Sequence, residues 1–225
     1  MKKRTIALVL ACILCVGIGI GGTLAWLTAQ TGPVKNTFTT SDIGVTLTES
    51  DSEQDTDKNP NTNSYQMIPG WTIAKDPAAT VTTGSEDCFL FVKVEKSSTF
   101  DTYMNYAIDD EWTPLDEVKN PGVYYIKIDQ NAKKNVSYNI LGAGKATYDD
   151  KEYTWADNQV LVKPTVTKTL MNNLAEANAI QPTLTFTAYA SQLWKTNNPG
   201  TDATEAEIAA AQFTPAEAWA NVPTA

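Results

Sequence analysis

The strongest strand signal in the chain is CFLFVKVE, residues 88–95. Its first half is apolar on both faces, whereas its second half alternates between apolar and charged residues. A strand with two apolar faces is typical of the middle of a sheet, because both of its faces are covered. The segment therefore predicts a central strand whose second half emerges from beneath a covering layer.

Two other segments alternate between apolar and polar residues, IGVTLT at 43–48 and TLTFTAYA at 183–190. Alternation with a period of two places every second side chain on one face of a strand. The residues of the second segment predicted to face inward are Leu184, Phe186, Ala188 and Ala190. Its threonines and Tyr189 are predicted to face outward. Many short strands between turn signals favour a mainly β chain, a β-sandwich rather than βαβ units.

The sequence pattern is less regular between the strands predicted at 88–95 and 183–190. Residues 159–163 and 166–170 predict two strands that are broken at Pro164, because proline lacks the backbone donor that a sheet requires. Residues 171–179 predict a short helix.

Short C-terminal helices are predicted at 204–222. Thr204 with Glu207, and Thr214 with Glu217, have the spacing of capping boxes, in which two backbone donors at a helix start are satisfied. The residues predicted to dock these helices are Ile208, Phe213 and Trp219.

The N-terminal segment has the organisation of an export signal. A positive stretch, Met1–Arg4, precedes an uncharged apolar run from Ile6 to Ile20, which predicts an N-terminal signal helix. Thr23 and Ala25 have the spacing of small residues at a signal-peptidase site. Cleavage is therefore predicted between Ala25 and Trp26.

Two alternatives to a cleaved signal stay open. Residues 5–27 are long enough for an uncleaved membrane anchor, and the sequence before Cys12 resembles a lipoprotein box. With cleavage, the chain divides into a signal peptide at 1–25, an N-terminal arm at 26–41 and a β domain at 42–225. The protein would then meet the membrane only before cleavage.

Charge and residue content narrow the range of functions. The first 25 residues hold three of the 17 basic residues and none of the 26 acidic ones, so the remainder carries a net charge of −12. Such a charge argues against nucleic acid as a partner. The chain contains no histidine, which excludes Ser-His-Asp and Cys-His catalysis and the common zinc-peptidase motifs.

No catalytic, cofactor-binding or metal-binding residues are predicted. Cys88 is the one cysteine after the signal and has no histidine base, so it is interpreted as a small buried hydrophobe. Carboxylate pairs at 109–110 and 149–150 adjoin turns and are interpreted as solvated. The acidic loop 49–63 lacks the glycine and glutamate positions of an EF-hand, although calcium binding stays open.

Three segments together resemble the TasA/camelysin family of secreted proteins from Gram-positive bacteria. The first is GGTLAWLTAQTGPVKNTFTTSDIGVTLTE at 21–49, and the second is IPGWTIAKDPAATVTTGSEDCFLFVKVEK at 68–96. The third consists of LTFTAYASQ at 184–192 and TPAEAWA at 214–220. The resemblance touches both ends and the middle of the chain, and its first block is the most specific.

This resemblance implies a jelly-roll-like β-sandwich, processing by a SipW-like signal peptidase and assembly into extracellular fibres. In the fibres of this family the N-terminal arm adds as a strand to the next subunit. The apolar residues of the corresponding arm here are Trp26, Leu27, Val34 and Phe38. Gly32 and Pro33 interrupt the arm.

The predicted function is therefore a secreted structural protein of the cell surface or biofilm matrix that forms a head-to-tail homopolymer, and not an enzyme. One alternative is a secreted metallopeptidase of the camelysin type. The other is a monomeric surface adhesin or sugar-binding module that uses exposed aromatic residues such as Trp71 or Trp112, although both tryptophans are expected in the core.

Overall fold

A computed structural model describes residues 28–31, 36–37, 43–50, 63–196, 198–200 and 202–222. This part of the chain is mainly β, and its strands pair in antiparallel sheets. Among the described helices, none has the length and apolar character needed to cross a membrane. The predicted signal helix lies outside the described residues, as does most of the predicted acidic loop.

The described strands, in chain order, are β1 Thr28–Thr31, β2 Asn36–Thr37, β3 Val45–Thr48, β4 Thr72–Ala74, β5 Ala78–Val81, β6 Cys88–Lys96, β7 Met104–Asn105, β8 Ala107–Ile108, β9 Thr113–Asp116, β10 Asn120–Ile128, β11 Ser137–Asn139, β12 Leu141–Gly142, β13 Gly144–Tyr148, β14 Lys151–Trp155, β15 Gln159–Val162 and β16 Leu184–Gln192. The helices are α1 Phe100–Tyr103, α2 Lys168–Leu174, α3 Glu205–Ala211 and α4 Pro215–Ala220, with a 3₁₀ turn at Asn131–Lys133.

The largest sheet has six strands in the order β2-β1-β16-β6-β10-β9. Strand β6 pairs along its whole length with β16, from Cys88 opposite Gln192 to Lys96 opposite Leu184. On its other side it pairs with β10. The prediction of a central strand at residues 88–95 is confirmed. Smaller sheets have the orders β11-β5-β3, β4-β15-β7, β12-β8 and β13-β14.

The main core is shared by one face of the six-stranded sheet and by the smaller sheets. Strand β6 contributes Cys88, Leu90 and Val92 to it, each fully buried. Strands β3, β5 and β15 contribute Val45, Val81 and their neighbours. The residues of β16 predicted to face inward all belong to this core or pack against it.

A second, smaller core covers the opposite face of the six-stranded sheet. Phe89 and Phe91 point to this side of β6, and Trp219 of α4 packs on Phe91 with 5.3 Å between the ring centroids. Both predicted capping boxes are present, at Thr204 and Thr214. The helical segment is thus the covering layer that the two-sided apolar pattern of β6 predicts.

Several details of the sequence-based prediction are wrong, among them Thr187, which is predicted to face outward but is only 8% exposed. Tyr189 does not face solvent, because Trp219 covers it in an edge-to-face contact at 5.3 Å and leaves only 7% of Tyr189 exposed. Residues 166–170 do not form a strand, because Thr167 caps α2 by accepting a hydrogen bond from the Leu170 amide. The helix predicted at 171–179 therefore starts earlier and ends at Leu174.

Candidate functional site

The candidate site is the outer edge of β16, the edge that does not pair with β6. Strand β1 pairs there with the C-terminal part of β16, with Thr28 opposite Ser191 and Gln30 opposite Tyr189. Within the described residues, no strand is hydrogen-bonded beside residues 184–187 on this edge. An uncovered strand edge presents unpaired backbone donors and acceptors to any extended segment that reaches it.

A groove of about 650 Å³ runs beside this uncovered part of the edge. Its apolar lining comes from seven elements or loops, most of which are distant from one another in sequence. The principal apolar residues of this lining are Leu47, Met67, Ile73, Phe100, Met104, Val160, Leu184 and Phe186. The groove thus lies where the six-stranded sheet meets β3 and β4, and it joins an open strand edge to apolar pockets.

One ion pair interrupts the apolar lining. The Nζ atom of Lys75 lies 2.8 Å from Oε1 of Glu49, and the side chains are 12% and 20% exposed. Tyr65 donates its hydroxyl to the same Glu49 oxygen at 3.0 Å. The Lys75 ammonium also lies 5.3 Å from the centroid of the Phe186 ring. These contacts hold the charged groups in fixed positions, so that the apolar surface beside them stays accessible.

The described part of the N-terminal arm folds as two strands. Strand β2 pairs antiparallel with β1, with Thr31 opposite Asn36, so the chain reverses between these residues. The arm is therefore not one extended strand. The interval in which it reverses contains Gly32 and Pro33, the residues that interrupt the arm in the sequence.

Several predicted site residues lie outside the described residues. They are the cleavage-site residues Thr23, Ala25 and Trp26 and the arm residues Leu27, Val34 and Phe38. The backbone of the arm segment 28–31 pairs with β16, whereas the four apolar arm residues named from the sequence are not among the described residues.

The two tryptophans singled out from the sequence lie in different environments. Trp112 is 4% exposed and donates its indole N–H to the Asn139 carbonyl at 2.7 Å, so its expected place in the core is confirmed. Trp71 is 65% exposed, and the expectation that it lies in the core is wrong. It follows a tight turn at Pro69 and Gly70, which turns its side chain away from the domain.

Cys88 and the carboxylate pairs singled out from the sequence lie in ordinary structural environments. Burial raises the pKa of the Cys88 thiol to about 12, so the thiolate is not formed near neutral pH. Asp109 accepts the Glu111 amide at 2.9 Å. Asp149 and Asp150 both adopt positive φ at the tip of the β13–β14 hairpin. No group of three potential metal ligands occurs within the described ranges.

Sequence reasoning missed the groove. Leu47, Lys75 and Leu184 carry no common motif, and each reads as an ordinary strand or turn residue in its own segment. The one indirect signal for the groove was the long strand predicted at 183–190, because a long strand inside a sheet needs a partner on each of its two edges.

Searches of protein-family models, of curated proteins and of solved structures found no match to this chain. The resemblance to the TasA/camelysin family therefore stays a prediction from the quoted segments.

Proposed function

We propose that this protein is a secreted structural subunit that forms fibres at the cell surface or in a biofilm matrix, with a jelly-roll-like β-sandwich as its body. Subunits join head to tail when the N-terminal arm of one subunit adds to the β16 edge of the next. Release of the arm requires cleavage after Ala25 by a SipW-like signal peptidase, because the arm is otherwise continuous with the apolar export segment.

The observation that carries the proposal is the open β16 edge beside an apolar groove. Backbone pairing on an exposed edge supplies affinity, and pockets for alternate side chains supply specificity. Both parts are in place around Leu184: a strand edge without a described partner and an apolar lining. The pairing of β1 with β16 within one chain adds support, because the same pairing can form between two chains that exchange their arms.

The first experiment removes the arm. Purified protein that starts at Trp26 is expected to form fibres visible by electron microscopy, and protein lacking residues 26–38 is expected to remain monomeric by size-exclusion chromatography. Fibres from the shortened protein would contradict the proposal.

A second variant tests the groove and leaves the arm intact. Leu184→Lys places a charge in the apolar lining at a half-buried position, and it is expected to abolish fibres because a desolvated, unpaired ammonium is costly. Thr154→Lys adds the same charge at an exposed position of β14 and is expected to polymerise normally. Equal polymerisation of both variants would exclude this groove as the acceptor.

A further inference from the structure

A second cleft shares Met104 with the groove beside β16, but the rest of its lining is different. It has a volume of about 390 Å³ and is formed where the end of β6 meets α1, β7, β8 and β10. Its polar and aromatic lining consists of Lys96, Asp101, Asn105, Tyr106 and Tyr124. This volume is within the range of small-ligand sites.

The polar groups of this cleft are arranged in a charge-balanced way. The Lys96 ammonium contacts both Asp101 carboxylate oxygens, at 2.9 and 2.7 Å, and it lies 5.8 Å from the centroid of the Tyr106 ring. Tyr106 and Tyr124 line the cleft beside this ion pair. Burial, followed by the neighbouring acidic or phenolic groups, raises the pKa of both phenols, so both remain neutral donors and acceptors at physiological pH.

An aromatic track continues from the cleft across the surface. Asn105 donates its amide to the Tyr148 hydroxyl at 2.5 Å, and the Tyr148 and Tyr153 rings contact edge to face with centroids 6.1 Å apart. Gly70 packs beside Tyr153, since a Cβ atom on this glycine would lie 3.5 Å from the Tyr153 ring. The next residue, Trp71, is the most exposed aromatic side chain among the described residues.

The end of the track is held rigidly. Pro69 and Gly70, the latter with φ of +80°, form the centre of a turn closed by the Trp71 amide and the Ile68 carbonyl at 3.0 Å. The Gly70 amide and the Trp71 carbonyl both bond to Val162 at 2.9 Å. These three backbone hydrogen bonds fix the point at which the exposed indole leaves the main chain, so less backbone freedom is lost when a ligand binds.

We propose that the cleft and the aromatic track bind a neutral, hydroxyl-rich polysaccharide chain. The two phenol hydroxyls and the ion pair supply donors and acceptors for sugar hydroxyls, and the rings supply flat apolar surfaces for the C–H faces of sugar rings. The mutual neutralisation of Lys96 and Asp101 and the net charge of −12 after residue 25 disfavour an acidic chain. The extension of the track to Trp71 favours a polymer over a single sugar.

The test is affinity electrophoresis of the processed protein in native gels that contain laminarin, dextran or galactomannan, with polygalacturonate as the acidic counterpart. At least one neutral polysaccharide is expected to retard the protein, and polygalacturonate is expected to have no effect. Retardation by none of the neutral polymers, or by polygalacturonate alone, would overturn the proposal.

Variants that leave the core intact locate the site. Tyr106→Phe combined with Tyr124→Phe removes only two hydroxyls, and it is expected to weaken binding about tenfold. Trp71→Ala is expected to weaken binding about tenfold as well, because an exposed aromatic anchor is lost. Val136→Ala shortens another exposed apolar side chain, one that does not line the cleft, and is expected to bind normally. Wild-type binding by both site variants would overturn the assignment. Fibre formation, followed in parallel, should be unchanged in all of them.

Discussion

The two strands that flank β6, β10 and β16, differ in how their outer edges are covered. Strand β10 is covered by β9, which precedes it directly in the chain and is joined to it by a short turn. Among the described strands, only β1 pairs with the outer edge of β16, opposite residues 189–191, and β1 lies more than 150 residues away in sequence. A local hairpin partner re-forms immediately when it opens, whereas a distant partner can be replaced by the same segment of another molecule. The β16 flank is therefore the side on which we propose that subunits join, whereas the β10 flank is closed by a local hairpin.

The largest predicted effect concerns β6, on which both flanks depend. Leu90→Ala removes a fully buried side chain from the main core and is expected to lower the free energy of unfolding by about 2–5 kcal/mol, measured in guanidinium chloride. Val118→Ala, at a side chain that is 91% exposed, should change it by less than about 0.5 kcal/mol. Similar losses for both variants would show that β6 does not organise the core.

The next effect tests the β10 flank. Gly122 in β10 has φ of +76°, and a Cβ atom there would lie 2.4 Å from the Val94 carbonyl oxygen. Gly122→Ala is expected to cost about 2–3 kcal/mol in the free energy of unfolding, from backbone strain and this clash.

A matched control separates these two causes. Gly200 has φ of +90° and nothing within 4 Å of a Cβ position. Gly200→Ala should lower the free energy of unfolding by only about 1 kcal/mol, because backbone strain acts there without a clash. Equal losses for the two glycine variants would mean that the close approach of β10 to β6 contributes nothing.

A smaller effect is expected on the β16 flank. Lys75→Ala leaves the half-buried Glu49 carboxylate without its cation and is expected to cost about 1–2 kcal/mol by thermal or chemical unfolding. Lys145→Ala breaks an exposed pair with Glu152 and should cost no more than about 0.5 kcal/mol. If both cost the same, the Lys75–Glu49 pair has no special role in shaping the groove.

The smallest effect is a pH dependence at the β9–β10 turn. The Asp116 carboxylate accepts the Lys119 and Val118 amides, and these bonds lower its pKa from 3.8. A carboxyl group whose pKa is lowered by folding stabilises the folded state at pH values above its unfolded-state pKa. This stabilisation is lost as the pH falls through the folded-state pKa. Wild type should therefore exceed Asp116→Asn in stability at neutral pH, and the difference should shrink as pH falls below 3.8 and vanish below the lowered folded-state pKa. A difference that is constant with pH would rule out the charge as its cause.

Sequence patterns predicted the elements whose environment is encoded locally. The two-sided apolar run at 88–92 predicted both the central strand and its cover, and the capping boxes predicted the helices that form the cover. Tyr189 was assigned to solvent because alternation identifies two faces of a strand but not whether a later segment covers the second one. Residues 166–170 were assigned to a strand because their β-branched residues favour extended backbone, whereas the cap at Thr167 starts a helix there.

The assembly groove and the aromatic track could not be predicted in the same way. Each is formed by side chains from distant segments, such as Leu47 with Leu184 in the groove, or Asn105 with Tyr148 in the track. These residues lie close together because of the order of the strands in the sheets. The alternation of apolar and polar residues within one segment does not predict that order. The position of Trp71 shows the same limit, since its exposure is decided by a turn whose anchors lie at Val162.

The most direct test of strand donation is hydrogen–deuterium exchange, measured by mass spectrometry on processed monomers and on fibres. Addition of an arm to the open edge should protect the backbone amides of residues 184–187 in fibres relative to monomers, while peptides from β10 exchange equally in both. Fibres that form without added protection at residues 184–187 would contradict the account.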